Sequence, residues 1–469
     1  MQICENKKRI LNGIEKIEKI IVNSYGPQGR TWLLGSIDNY QINDDGYKII
    51  KELKFDDIYE NIALKLVLDM VSKTEEEAHD STTLVVLLAC SFIKQIFAIE
   101  EEIIPSIFIK EWQKVLDESL TYLNEYCCND IDVDILKSIA KICVKEDSLG
   151  DIIGETIFNI SEEGSLRIQE SFNENSYIKY QKGYTIDTND KYEKKIFNKV
   201  YVLLIQERLD SFVPLLKLIK EVKKLKTPLL IVAYDYYDDV YNSLKSLLSV
   251  DIPIIICKLE GYKNKQEKTL NDLKSISCSQ IYNQKELINI SINNLKKVDK
   301  VELDNYKIIM YNNSFDINEI NKENRAQLLG NCATIYVGGT TKSMIKERIS
   351  RIEDAKYSCF NTLKYGYVLG GGKTLFNVSN KIANNNQVST IFQKTLKAPF
   401  LTLLNNSGYK FETLNLKEDE GIDLIEHKVI SYKENKIFDC IYGIKRALIN
   451  SSGLVYTFVH LYDAKINET

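Results

Sequence analysis

At 469 residues the chain is long enough for roughly three domains of about 150 residues each. Hydrophobic residues make up 44% and charged residues 27%, enough to bury real cores, and 61 Lys+Arg against 66 Asp+Glu give a net charge of −5, which removes the basic excess that nucleic acid or an anionic membrane would call for. With only 6 prolines and 21 glycines, a Pro-rich tail or a long disordered linker is excluded, so three domains' worth of chain shows no joint.

The first element is a helix, because Ile10, Leu11, Ile14, Ile17, Ile20 and Ile21 recur at three- and four-residue steps. The turn Gly26-Pro27-Gln28-Gly29-Arg30 ends it. Trp32 to Leu34 and Tyr40 to Ile42 then read as a short hairpin closed by Asp45-Gly46. Helical patterning runs over Ile62 to Ser72 and Thr82 to Ile96, with the polar segment Lys73 to Ser81 between them, and again from about Ile107 to Tyr126. From about Tyr177 to Asn331 the texture changes. Strand candidates Val200 to Ile205, Pro228 to Val232 and Ile252 to Cys257 alternate with helices Phe212 to Leu225 and Asp239 to Leu248. That alternation predicts an α/β block with parallel strands. Helices resume at about Ser343, so the α/β block is inserted between two mostly helical flanks.

Ten cysteines are scattered without a C-x-x-C, and the only close pair is Cys127-Cys128. This spacing fits neither a zinc site nor a disulfide scaffold and suits a reducing compartment. The three histidines, His79, His427 and His460, are far apart. The N-terminus MQICENKKRILNGIEKI has no uninterrupted apolar core of a secretory signal, and the longest apolar stretch, Leu84 to Ile93, is about half the ~20 residues of a membrane span. A soluble, cytoplasmic protein without membrane or nucleic-acid partners is expected.

Gly370-Gly371-Gly372-Lys373-Thr374 invites comparison with a phosphate-cradling P-loop, but Gly366 stands one residue too far from Gly372. A glycine triplet also lets a helix start close against another backbone. Among the acids, Asp45 stands in a turn, and Asp80 precedes Ser81-Thr82-Thr83 at a predicted helix start. A carboxylate beside hydroxyls and free helix N–H groups suits Mg²⁺-phosphate. The same residues also read as a helix N-cap worth about 1 kcal/mol. Asp354 lies in the helical run Arg351 to Ala355, by default a solvated carboxylate.

Ser24-Tyr25-Gly26-Pro27-Gln28-Gly29-Arg30 resembles the T-L-G-P-K-G-R turn of the group I (GroEL-type) chaperonins. The resemblance continues in order along the chain. Asn43-Asp44-Asp45-Gly46 looks like T-K-D-G, Tyr59-Glu60-Asn61 like F-E-N, and Asp80-Ser81-Thr82-Thr83 like D-G-T-T. Glu347 to Ala355 is similar to K-K-A-R-V-E-D-A, Gly370 to Gly372 to A-G-G-G, and Ala398-Pro399 with Asn405 to Gly408 to A-P followed by N-A-G. Ile437 to Leu448 resembles I-L-D-P-x-K-V-x-R-x-A-L. The group II, thermosome-type chaperonins match less well, since the Arg after the G-P-x-G turn and the A-P-F-L…N-N-S-G segment are of group I kind.

The resemblance implies a multidomain, GroEL-like architecture. A mostly α-helical equatorial ATP-binding domain would span 1–127 and 365–469, a small α/β intermediate hinge domain 128–177 and 331–364, and an α/β apical client-binding domain 178–330. It implies ATP and Mg²⁺ as cofactors. Ser24, Tyr25, Gly26 and Pro27 would line the nucleotide, Asp80 would hold the metal, and Ser81, Thr82 and Thr83 would surround the phosphates. Asp45 and Asp354 would be the catalytic carboxylates. Gly371 would approach the base or ribose, and Asp439 would accept a ribose hydrogen bond. Non-native protein clients would meet Tyr184, Phe212, Leu215, Leu216, Ile219, Tyr241 and Leu244, although ordinary core packing explains their periodicity equally well. The partners implied are a homo-oligomeric ring, heptamer or double heptamer, and a co-chaperonin lid. The place of action would be the cytoplasm of a bacterial cell or phage-infected host, or an organelle matrix.

The chain also departs from the family. G-D-G-T-T-T is here His79-Asp80-Ser81-Thr82-Thr83-Leu84, with both glycines replaced. The base-contacting N-A-A is Asp423-Leu424-Ile425, and Lys245 and Ser246 make the second apical helix more polar. A chaperonin-like binding or assembly protein with weak or no ATPase activity is therefore the second expectation beside the folding ATPase.

Overall fold

The computed structural model describes residues 5–36, 39–43, 45–99, 103–171, 173–181, 183–249, 253–312, 330–409 and 416–461. The chain divides into two compact units. The first takes 1–162, 168–178 and 335–469, and the second takes 163–167 and 179–334, so the first is built from both ends of the chain and the second from its middle.

The first unit opens with α1 (Glu5–Val22), whose Ile10, Ile14, Ile17 and Ile21 form the buried stripe. Strands β1 (Trp32–Ser36) and β2 (Asn39–Asn43) form the expected antiparallel hairpin. Then follow α2 (Gly46–Glu52), α3 (Ile58–Ala78), α4 (Thr82–Phe97), α5 (Pro105–Glu125), α6 (Val133–Val144) and α7 (Asp147–Ile160). The polar segment Lys73 to Ser81 is not the break expected. Helix α3 continues through Glu75, Glu76 and Glu77 to Ala78, and only His79 to Ser81 interrupt the path into α4. Helix α4 is buried on nearly every side from Leu84 to Ile96, which makes it the axis of this core.

Strands β3 (Ser165–Glu170) and β4 (Tyr177–Gln181) each run across the boundary between the two units. The elements of the second unit are β5 (Tyr184–Leu209), α8 (Leu216–Leu225) after a 3-10 turn at Val213–Leu215, β6 (Leu229–Tyr236), α9 (Asp238–Ser249), β7 (Ile254–Lys258), α10 (Lys263–Ser277), β8 (Ile281–Tyr282) and β9 (Lys296–Tyr311). The sheet order is β7-β6-β5-β8, with β9 antiparallel along β5 and the other pairs parallel. Alternation splits the sheet residues between two faces. Val202, Leu204, Leu230, Val232 and Ile255 meet Leu270, Leu273 and Ile276 of α10 on one face. Leu203, Ile205, Leu229, Ile231 and Ile254 meet Leu218 and Val222 of α8 and Leu244 of α9 on the other. A parallel sheet covered on both faces is why these strands read as unbroken apolar runs.

The chain returns through β10 (Cys332–Val337), which lies between β3 and β4 in a small sheet. It then forms α11 (Lys342–Tyr365), β11 (Tyr367–Leu369), α12 (Lys373–Lys381), α13 (Gln387–Asn406), the hairpin β12 (Glu420–Ile422) with β13 (Val429–Ser431), β14 (Phe438–Cys440) and α14 (Ile441–His460). Strand β14 pairs with β11, which sets Asp439 opposite Val368 and beside the glycine triplet. Early and late segments share one core. The rings of Phe92, Trp112 and Phe392 pack edge-on or tilted with centroids 4.6 to 5.0 Å apart, and the Trp112 indole donates to Ser452 Oγ at 2.9 Å. No helix among the described residues is long and apolar enough to cross a membrane.

Candidate functional site

The acids singled out in the sequence converge within the first unit. Asp45 caps α2, its Oδ1 accepting the Tyr47 N–H at 3.0 Å and the Thr82 hydroxyl at 2.8 Å. Gly46 makes that contact possible, since a Cβ there would fall 2.9 Å from Thr83 N and Oγ1. Asp80 occupies the three-residue loop between α3 and α4, its carboxylate accepting the Ser81 N–H and the Ser358 hydroxyl. The simple N-cap reading of this loop does not hold, for Ser81 stands at the cap of α4 without a side-chain cap bond.

His79 and Ser81, which stand where the family motif has glycine, both have a left-handed backbone, with φ 52° and 65°. Such a conformation costs a non-glycine residue about 1 kcal/mol or more. The His79 ring stacks on Tyr357 of α11 at 3.9 Å, a contact that helps hold the bend in place.

Helix α11 supplies the opposite wall. Ser350, Asp354 and Ser358 recur every four residues and so share one face. Ser358 grips Asp80, and Ser350 Oγ accepts from the Lys48 amine. Asp354 is not the solvated carboxylate its helix suggested. Burial, and then Asp45, Asp80 and Glu75, push it well above the usual carboxylate range, opposed by Lys48. Glu75, on the last turns of α3, is pushed up to about 7 by burial and then by Asp45 and Asp80. Asp80 itself is raised by burial and lies near Asp45, against the lowering effect of Ser358 and Ser81.

Farther along, Asp439 Oδ2 accepts the Gly371 N–H at 3.1 Å, and burial followed by Asp80 pushes this acid up to about 6. Tyr25 joins the same region, its phenol raised by burial, then Asp439, then Asp80. The turn bearing Tyr25 is latched by Asn406, which donates to Val22 O at 2.7 Å and Tyr25 O at 3.0 Å. Ser24 is buried and its hydroxyl donates to Ile21 O at 2.9 Å, so it shapes the turn with its backbone. Gly26 and Pro27 continue the turn, closed by Gly29 N–H to Gly26 O at 3.0 Å.

Gly372 has φ 72° and caps α12, where a Cβ would lie 2.7 Å from Phe400 N, so the triplet does bring a helix start against another backbone. Lys373 is no P-loop lysine. It is fully buried, its amine 5.0 Å from the Phe376 ring centre and 6.0 Å from that of Phe400, with no hydrogen-bond acceptor among the described residues. Burial brings its pKa down to about 8. Asp423 of the altered base-contacting segment spends Oδ1 on the N–H groups of Ile425 and Glu426, at 2.7 and 2.8 Å, and leaves Ile425 80% exposed.

Of the expected client-binding set, Tyr184, Leu215, Ile219 and Leu244 are buried in the second unit's two cores, where apolar side chains cover the sheet. Phe212 and Tyr241 are half-buried, and Leu216 is 40% exposed. Val213 and Tyr237, at 61% and 48%, are the more exposed neighbours.

Sequence reasoning missed Lys48, Glu75, Ser350, Tyr357 and Ser358. The four-residue step through Asp354 was the available signal for both serines. The donor set fits Mg²⁺ with a polyphosphate. Crowded carboxylates with raised pKa values are relieved by a cation, and magnesium takes one or two carboxylates and completes its shell with phosphate and water. Among the described residues no three His, Cys, Asp or Glu side chains are placed to hold a metal by themselves. A family model matches over residues 17–463, nearly the whole chain, and with it the chain belongs to the TCP-1/cpn60 chaperonin family.

Proposed function

We propose that this chaperonin-family chain is an ATP-hydrolysing subunit that binds non-native polypeptides and works in a ring of its own copies, a heptamer or double heptamer. The observation that carries the reading is the convergence of Asp45, Asp80 and Asp354 around a loop that keeps its left-handed backbone. Asp80 would hold Mg²⁺ with Ser81 beside the phosphates, while Thr82 and Thr83 at the start of α4 would offer backbone N–H groups to phosphate oxygens. Bound Mg²⁺ supplies neutralisation of the charge that develops on the transferred phosphate. Asp45 orients and Asp354 accepts the proton of the attacking water. Its raised pKa makes Asp354 a stronger base than an ordinary carboxylate. Gly371 and Asp439 would meet the nucleoside.

In this reading the equatorial domain is 1–127 with 365–469, the intermediate 128–177 with 331–364, and the apical 178–330. Clients would meet Leu216 with Val213, Phe212, Tyr237 and Tyr241, and a co-chaperonin lid would share that surface. Steady-state phosphate release by the wild type and by Asp354→Ala tests the proposal. A fall of about 100-fold or more in the variant is expected, and equal background rates for both would sink it. The replacement of both glycines of the phosphate loop by His79 and Ser81 favours a second reading, a binding or assembly protein with weak or no turnover. Robust ATPase activity together with rescue of a denatured client rules that out.

A further inference from the structure

Lys48 is the cation that opposes the raised pKa values of both Asp354 and Glu75. It lies in the first turn of α2, three residues after the cap Asp45, and helix side chains lean toward the N-terminal end. Its amine donates to Ser350 Oγ, one turn before Asp354 on the same face of α11. Two separate helices thus bring one lysine beside Asp354, the carboxylate assigned above to the attacking water. Among the described residues Lys48 makes no ion pair, although it stands amid Asp45, Glu75 and Asp354.

An ammonium parked on a neutral hydroxyl is easily drawn to a better acceptor, and a phosphate oxygen is one. A triphosphate entering a region already lined with carboxylates also needs positive charge beyond a single divalent ion. We propose that Lys48 is a nucleotide-positioning residue that leaves Ser350 to bind the terminal phosphate of ATP, so that the site distinguishes ATP from ADP. The inference rests on the nucleotide-binding reading above and adds to it a residue that sets which nucleotide is held.

The test is calorimetric binding of a non-hydrolysable ATP analogue and of ADP, each with Mg²⁺, to the full chain and to Lys48→Met. The variant is expected to weaken the analogue about tenfold and ADP less than about twofold. Lys48→Arg should keep most of the discrimination. Lys48→Gln, neutral but still able to donate to Ser350, gives the same comparison if K48M does not fold. Equal weakening of both nucleotides, or of neither, overturns the inference while the underlying reading stands. Failure of the wild type to bind either nucleotide overturns both.

Discussion

The Ser358 hydroxyl donates to the Asp80 carboxylate and ties the middle of α11 to the loop between α3 and α4. A hydrogen bond to a charged group is worth about 1.5–3 kcal/mol and favours the ionised acid. Ser358→Ala should therefore raise the Mg²⁺ concentration needed for half-maximal nucleotide binding by roughly tenfold. A magnesium titration monitored by nucleotide fluorescence checks this, and an unchanged midpoint would mean that Ser358 contributes only packing.

The left-handed residues beside Asp80 predict an unusual stabilisation. Ser81 has φ 65° and makes no cap bond, so Ser81→Gly should raise stability by about 1 kcal/mol. His79→Gly should gain less, because it gives up the stack on Tyr357. Denaturant midpoints for the two variants will show the order, and a destabilised Ser81→Gly contradicts the strain argument.

Glu75 supplies a pH signature. Its pKa rises on folding from the ordinary 4.5 to about 7, so the folded state holds the proton more tightly. Below about pH 4 the group is protonated in both states and carries no penalty. As pH rises through 4.5 the unfolded chain ionises first, and the destabilisation grows until it is complete above about 7. Glu75→Gln should therefore stabilise the nucleotide-free protein at pH 8 by about 1–2 kcal/mol, solvent screening of this partly open carboxylate included, and have no effect near pH 4. Thermal unfolding at the two pH values is the measurement.

Within the second unit, burial separates two classes of apolar substitution. Leu244→Ala should destabilise by about 2–5 kcal/mol, since the side chain is fully buried. Leu216→Ser and Val213→Ser, at 40% and 61% exposure, should leave stability within about 0.5 kcal/mol while weakening capture of a denatured client. Loss of client capture in Leu244→Ala with unaltered unfolding would reverse this assignment.

Much of this was legible beforehand for physical reasons. The stripe Ile10, Ile14, Ile17, Ile21 has the period of a one-sided helix, and Leu203 to Ile205, Leu229 to Val232 and Ile254 to Cys257 have the unbroken apolarity of a sheet covered twice. Lys73 to Ser81 misled because its polar side chains have partners inside the protein: Glu75 lies among the other carboxylates, and Arg446 Nε donates to Glu77 at 2.8 Å. The apolar spacing of Leu215, Ile219 and Leu244 is the same whether a helix face meets a sheet or a client, and only the fold decides. Lys48 was hidden for another reason. Its importance comes from Ser350, 302 positions away, and no local pattern contains both.

Ser350, Asp354 and Ser358 stand on one stripe of a single rod, α11. Their contacts cannot be adjusted one at a time. In the proposed reading, a tilt of that rod which withdraws Asp354 would also let go of Asp80 and free Lys48, so the proton acceptor, the metal grip and the cation would be engaged or released together. Such a helix would work as a clutch, and the shared stripe disfavours a half-assembled site.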